Sequence, residues 1–254
     1  MTLREALGLG KGEMVSLIGA GGKTTTLFRL AHELWQEGGR VLVTTTTKIF
    51  KPTKPHVHKL YLAQDLEALL EELAQIKEAG IVALGYGLDD AGKLVGLPLD
   101  WFPALKKSGG MDWILIEADG AASRPFKVPL DHEPVVPEEC PLTVWVMGMK
   151  VLNRPLTPDW VHRAERAAAL LGVELGTPVN SGHIIQLVTH PLGCLKGIPP
   201  KGRRVALINQ ADSVEEVKNA IALGRELVRH GLDRVVIASY LDSDPVKEVI
   251  SSPL

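Results

Sequence analysis

Apolar positions along this chain follow two rhythms that alternate from one end to the other. "EMVSLIG" is a short continuous apolar run, the pattern of a strand buried on both faces. "KTTTLFRLAHELWQEGG" then places Leu27, Leu30, Ala31 and Leu34 at helical spacing and stops at Gly38-Gly39. "RVLVTTTTKI" predicts a second strand with a hydroxyl-rich end. After a Pro/Lys/His connector, Leu66, Leu69, Leu70 and Leu73 mark an amphipathic helix, and "IVALGYGLDDAGKLVGL" reads as a hairpin turning at Asp90 to Gly92. "MDWILIEADG" and "PLTVWVMG" are further strands with both faces apolar. Thr157-Pro158-Asp159 predicts a capped helix start, with Val161, Ala164, Ala168 and Leu171 as its buried stripe, and a second helical stretch covers "NSGHIIQLVTH". "RRVALINQAD" is another strand. Ser213 with Glu216 forms a capping box ahead of a helix carrying Val214, Val217, Ile221, Gly224 and Val228, and "RVVIASY" closes the series.

Strands that alternate with helices predict an α/β fold: a largely parallel, doubly wound sheet flanked by helices. Residues 1–254 read as a single domain with a hairpin insertion near 81–97, because no repeat, low-complexity tract or linker divides them. Composition agrees, since 45% apolar residues in a chain of 254 suffice for a large core. Charge narrows the partners. With 28 basic and 30 acidic residues the net charge is -2, so neither nucleic acid nor a membrane surface is expected as a partner, and any anion must be held locally. The N-terminal stretch has no apolar run long enough for a signal peptide or a span, which makes the expected location cytoplasmic. Cys140 and Cys194 lack ligand spacing and read as filler. His162, His183 and His190 share no short metal-ligand spacing either.

The first candidate chemistry lies in "LIGAGGKTTT". It ends as a phosphate-binding loop should, in Gly22-Lys23-Thr24, but Leu17 stands where the common G-x-x-x-x-G-K-[ST] form has glycine. In such a loop backbone N–H groups turn toward the anion, which calls for residues free of a Cβ; Gly19, Gly21 and Gly22 qualify, with Ala20 and Thr25 completing the nucleotide-binding stretch. Lys23 is the candidate catalytic cation for the β- and γ-phosphates, Thr24 the Mg²⁺ hydroxyl, and the following helix turns its positive end to the phosphates. The competing reading is a glycine-rich turn with a solvated lysine. The strand before and the long amphipathic helix after favour the phosphate loop, hence a P-loop NTPase sheet. The spelling G-x-x-G-K-T-T is similar to the shortened loop of Mur-type peptide ligases, and the wider pattern resembles the P-loop branch that includes metal-insertion GTPases.

"WILIEADG" supplies the acids such a loop needs: Glu117 and Asp119, as metal ligands or as the group that orients water, ahead of Gly120. "ALINQAD" echoes the guanine-reading N-K-x-D pattern at Asn209 and Asp212, with Gln210 in place of lysine; the alternative is a helix cap at Asp212 and Ser213. In "VLVTTTTKIF" most threonines are strand material, with Thr46, Thr47 and Lys48 as candidates for the metal or γ-phosphate. The proline-rich stretch after Asp119 carries Arg124 as a candidate catalytic cation, with Lys127 and His132 as further candidates; surface charges are the alternative.

Taken in order, "SLIGAGGKTTT", "VTTTTKI", "EADGAASRPFKVP", "HEPVVP", "VHR", "THPLGCLKGIP" and "LINQAD" make the chain resemble the selenium-dependent hydroxylase accessory proteins, the YqeC family. The resemblance implies a P-loop fold and a role in maturing selenium-dependent molybdenum hydroxylases, with such a hydroxylase or its maturation machinery as partner. It carries the phosphate loop onto Gly19, Gly21, Gly22, Lys23 and Thr24, the acids onto Glu117 and Asp119, and base reading onto Asn209 and Asp212. Three functions follow as expectations. The first is an Mg²⁺-dependent GTP- or ATP-binding protein that hydrolyses slowly. The second is a phosphotransferase or Mur-like ligase acting on a small acceptor. The third is a nucleotide-sensing module that hydrolyses nothing. A homodimer across the nucleotide face is expected by analogy with related switch proteins.

Overall fold

The structure, a computed structural model, describes residues 1–252. The chain opens with α1 (Leu3–Leu7), held by a Thr2/Glu5 capping box, then runs through β1 (Met14–Gly19), α2 (Lys23–Gln36) and β2 (Arg40–Thr45). Next come β3 (Lys48–Ile49), β4 (Lys59–Leu62), α3 (Leu66–Ala74) and β5 (Gly80–Gly85). A small excursion, β6 (Gly87–Leu88) and β7 (Leu94–Val95), leads to α4 (Phe102–Ser108) and β8 (Trp113–Glu117). β9 (Phe126–Lys127), β10 (Leu142–Gly148), β11 (Val161–His162), α5 (Ala164–Leu171) and α6 (Ser181–Thr189) follow. The chain ends with β12 (Arg203–Asn209), α7 (Val214–Arg229), β13 (Arg234–Ala238) and β14 (Val246–Ser251).

Nine strands form one sheet in the order β14-β13-β12-β10-β1-β8-β2-β5-β4. Every pair in it is parallel except β13 with β14. Alternation along β1 shows how the two layers form. Val15 and Leu17 point into the core shared with α1 and α2, whereas Met14 and Ile18 point into the core shared with α3 to α7. Both faces are therefore covered, which is what the unbroken apolar runs require and what is consistent with a P-loop NTPase-like fold. β1 lies between two strands that come later in the chain, β8 and β10, so their carboxyl ends surround the loop that leaves β1.

Three local departures from the sequence pattern have tertiary causes. Thr157-Pro158-Asp159 forms a turn, with the Trp160 and Val161 N–H groups donating to the Thr157 carbonyl, and does not start a helix. Val161 and His162 instead pair with Phe126 and Lys127, and the helix begins only at Ala164, after Arg163 adopts a left-handed φ of 68°. Ile81 to Gly85 belongs to the central sheet, and the hairpin itself is confined to β6 and β7, which join β3 in a separate three-stranded sheet. β13 does not end the series, because β14 folds back against it as an antiparallel edge strand.

A candidate nucleotide site at the head of the central strand

The loop after β1 is shaped by three glycines at positive φ: Gly19 at 92°, Gly21 at 80° and Gly22 at 124°. Each is also too crowded for a side chain. A Cβ would lie 2.3 Å from the Val146 carbonyl at Gly19, 2.1 Å from the Gly148 nitrogen at Gly21 and 2.4 Å from Asn209 Nδ2 at Gly22. The loop amides divide into two groups. Those of Gly19, Ala20 and Gly21 donate within the protein, to Asp119 Oδ2 (2.9 Å), the Val146 carbonyl (2.8 Å) and the Arg124 carbonyl (2.9 Å). The first turn of α2, from N-cap Gly22 through Thr25, has no side-chain cap and no acidic residue, so its N–H groups and its positive end face outward together. Gly19 and Gly21 thus set the path of the chain, and the uncapped first turn of the helix begins at Gly22.

Beneath the loop lies a chain of buried charges. Lys23 Nζ donates to the Gly19 carbonyl (2.7 Å) and stands 3.0 Å from Asp119 Oδ1 and 3.7 Å from Glu117 Oε1. Asp119 Oδ2 also meets Lys127 Nζ at 3.0 Å, and Lys127 Nζ reaches Glu133 Oε2 at 3.0 Å and the Gly120 carbonyl at 2.5 Å. Arg163 closes the far end at 2.5 Å from Glu133. The signs alternate from Lys23 through Asp119, Lys127 and Glu133 to Arg163, so each buried charge has opposite neighbours. Burial lowers the Lys127 pKa against the opposing pull of Asp119 and Glu133. For Glu133, burial pushes the carboxyl up, but Arg163 and Lys127 prevail and hold it at about 2. Asp119, only 2% exposed, is committed to this chain and does not line the cleft above the loop.

Glu117 sits differently. Its Oε2 accepts from Thr24 Oγ1 at 2.9 Å, across the opening of the loop. Burial raises its pKa, and Lys23 and Thr24 only partly oppose this. Both residues line a cleft of about 590 Å³, together with Ala20, Gly21, Gly22, Lys23 and Thr25. Arg124 lines the cleft too, while its carbonyl holds the Gly21 amide. Of the other sequence candidates, Thr46 Oγ1 donates to the Val135 carbonyl, the Thr47 amide donates to Thr45 Oγ1, and Lys48 pairs with Asp89 at 3.1 Å. These three do not line the cleft, and His132 is exposed on its loop away from it.

The other flank holds the "NQAD" segment. Asn209 Nδ2 donates to the Gly21 carbonyl at 2.8 Å, fastening the end of β12 to the loop, and its Oδ1 is buried without a hydrogen-bond partner. Gln210, at a left-handed φ of 63°, reaches the wall of the cleft. Asp212 accepts from Ser239 Oγ at 2.7 Å and pairs with Lys150 Nζ at 2.9 Å. Burial pushes its carboxyl up, but the bonds from Lys150 and Ser239 prevail and hold it below the ordinary aspartate value. Ser213, not Asp212, caps α7.

Sequence reasoning missed several groups here. Lys93 and Phe50 enter the cleft from the β6–β7 excursion and the end of β3, and Ala122 and Ser123, both at positive φ, form its lip. Lys150, Ser239 and Tyr240, whose hydroxyl lies 2.7 Å from Thr26 Oγ1, come from strands distant in sequence. Their one available signal was position just after an apolar strand, where α/β sheets gather function.

The family model described as "YqeC protein" matches residues 15–165, more than half of the chain and the part that contains the loop, the acids and the buried charges. The chain belongs to the YqeC family. A relative in Escherichia coli (strain K12), the uncharacterized protein YqeC, is 32% identical over 222 residues, covering 87% of this chain and 85% of the relative. Among the described residues no helix is long and apolar enough to cross a membrane.

Proposed function

We propose that this YqeC-family protein binds a purine nucleoside triphosphate with Mg²⁺ in the cleft above α2, prefers guanine, and hydrolyses it slowly to support maturation of selenium-dependent molybdenum hydroxylases in the cytoplasm. One observation carries the nucleotide reading: an uncapped helix N-terminus, delivered by three positive-φ glycines, with Thr24 Oγ1 and Glu117 Oε2 at 2.9 Å across its mouth. The N–H groups from Gly22 to Thr25 suit phosphate oxygens, and Lys23 lines the same cleft from below.

The residues present also suit Mg²⁺. That ion takes one or two protein oxygens and completes its shell with phosphate and water, and Thr24 and Glu117 offer a hydroxyl and a carboxylate. Three or more acidic, histidine or cysteine ligands do not cluster anywhere among the described residues, so an all-protein metal cage is not the design. When bound, Mg²⁺ would neutralise charge on the β- and γ-phosphates. Asp119 serves as the fixed counter-ion of Lys23, which leaves Glu117 as the acid at the cleft. Among the described residues Glu117 is the one carboxylate that lines the cleft, so its role at Mg²⁺ leaves no second carboxylate there to orient water; slow turnover is the consequence.

Guanine preference rests on Asp212, which stands two residues beyond the cleft-lining Gln210 and does not itself line the cleft. Its carboxylate holds Ser239 and Lys150, and exchanging the Lys150 contact for the adjacent N–H donors that adenine lacks would read the base. Lys150, half exposed, supplies beside it the cation that Gln210 does not. The hydroxylase client comes from the family resemblance. The test is equilibrium binding of a fluorescent GTP analogue with and without Mg²⁺. Thr24→Ala and Glu117→Gln should each remove most of the Mg²⁺ enhancement, and wild-type protein that binds neither with nor without Mg²⁺ would refute the proposal.

A further inference from the structure

A second cleft, of about 510 Å³, opens beside the first and shares Thr24, Thr25 and Phe50 with it. One wall is the outer flank of α2, where Thr25, Phe28, Arg29 and His32 recur at helical spacing. The other is the segment 50–56. The ring of His56 stacks on Phe28 at 4.8 Å and 27°, and Phe50 stands 78% exposed at the junction of the two clefts. Lys93 Nζ lies 5.3 Å from the centroid of that ring, and the rest of the ring's surface stays open beside the cleft.

We propose that this second cleft binds a small planar aromatic compound bearing an anionic group, alongside whatever occupies the phosphate cleft. Three features select that chemistry. His56, whose ring is backed by the buried Phe28, and the exposed Phe50 bring two ring faces to the cleft on which a further ring can stack. Arg29 and Lys51 are the charged lining groups, and no aspartate or glutamate lines the cleft, so an anion is favoured and a cation is not. Arg29 spends one N–H on the Ser243 carbonyl and lies over the Tyr240 ring, which anchors the guanidinium and leaves it further donors. The volume suits a compound of one or two rings. Gln210, Asp212 and Ser239 do not line this cleft, so it is separate from the base-reading groups on the other flank. The inference stands on this lining and does not require that the first cleft hold a nucleotide.

The test uses isotope-labelled full-length protein titrated with 2-naphthalenesulfonate, followed by amide chemical shifts, first alone and then with Mg²⁺ and a non-hydrolysable GTP analogue. Shifts should centre on Thr25, Phe28, Arg29, His32 and His56, persist in the presence of the nucleotide analogue, and be absent with methanesulfonate, which has the charge without the ring. Arg29→Ala should weaken binding about tenfold, the loss of one charge-assisted contact. Lys51→Ala, at an exposed position, should weaken it severalfold and keeps the test readable if Arg29→Ala loosens the helix. Shifts elsewhere, unchanged affinity in both variants, or displacement by the nucleotide analogue would each overturn the proposal, displacement meaning that the cleft belongs to the nucleotide itself. Failure of the GTP analogue to bind would count against the proposed function alone, since the titration without nucleotide still reads the second cleft.

Discussion

The loop after β1 has ion pairs beneath it and on one flank, and the two sets are built differently. Below it, Lys23, Asp119, Lys127, Glu133 and Arg163 form a continuous chain in which Lys127 and Asp119 are 1% and 2% exposed as side chains. On its flank, Asp212 and Lys150 form a single pair, and the lysine is 49% exposed. The first arrangement cannot lose a member without leaving an opposite charge short of partners in a dry interior. The second can open at little cost, because water takes the place of either partner. A rigid foundation under the loop and a yielding pair on its flank is the division that the proposed nucleotide site would need.

The contrast can be broken most severely at Lys127. Lys127→Met should destabilise the protein by about 3 kcal/mol in urea unfolding, near the low end for a broken buried pair because Asp119 keeps Lys23 and Glu133 keeps Arg163. Next in size is Asp212→Asn, expected to weaken binding of a GTP analogue by about 2 kcal/mol, roughly thirtyfold, with little change for an ATP analogue. Acid should separate the regions as well. Glu133 has its pKa held down from 4.5 to about 2, so its contribution to stability is present in full above the higher value and is lost as pH falls toward the lower. Glu133→Gln should flatten that part of the pH–stability profile, and an unchanged profile would remove Glu133 from the account. The smallest effect is expected for Lys150→Ala, which should change stability by less than about 1 kcal/mol. A cost as large as that of Lys127→Met would show that the two flanks are alike.

What could be read from the sequence was what lies within one short stretch. The glycines, Lys23 and Thr24 follow β1 directly, and Glu117 ends β8, so a strand pattern with its trailing residues was enough to nominate them. Asp119 was found for the right neighbourhood, but its engagement was not legible. Its partner Lys127 lies on a strand of only two residues, and Glu133 and Arg163 are brought up by turns that carry no periodic signal. Lys150 and Ser239 were invisible for a related reason: they meet Asp212 only because β10, β12 and β13 are neighbours in the sheet. The helix start placed at Thr157 failed where pairing of Val161 and His162 with β9 outweighed a sound capping pattern. Thr46 and Thr47 were candidates because of their hydroxyls; the Thr46 hydroxyl donates to the Val135 carbonyl and the Thr47 hydroxyl lies 3.3 Å from Thr45 Oγ1, contacts the sequence pattern did not reveal.

The most direct measurement is calorimetric titration of the full-length protein with non-hydrolysable GTP and ATP analogues, each with and without Mg²⁺. Tight, Mg²⁺-dependent binding of the GTP analogue and weak binding of the ATP analogue is the expected result. Absence of binding by both would mean that the cleft above α2 is not a nucleotide site, and preference for the ATP analogue would remove Asp212 as the reader of the base.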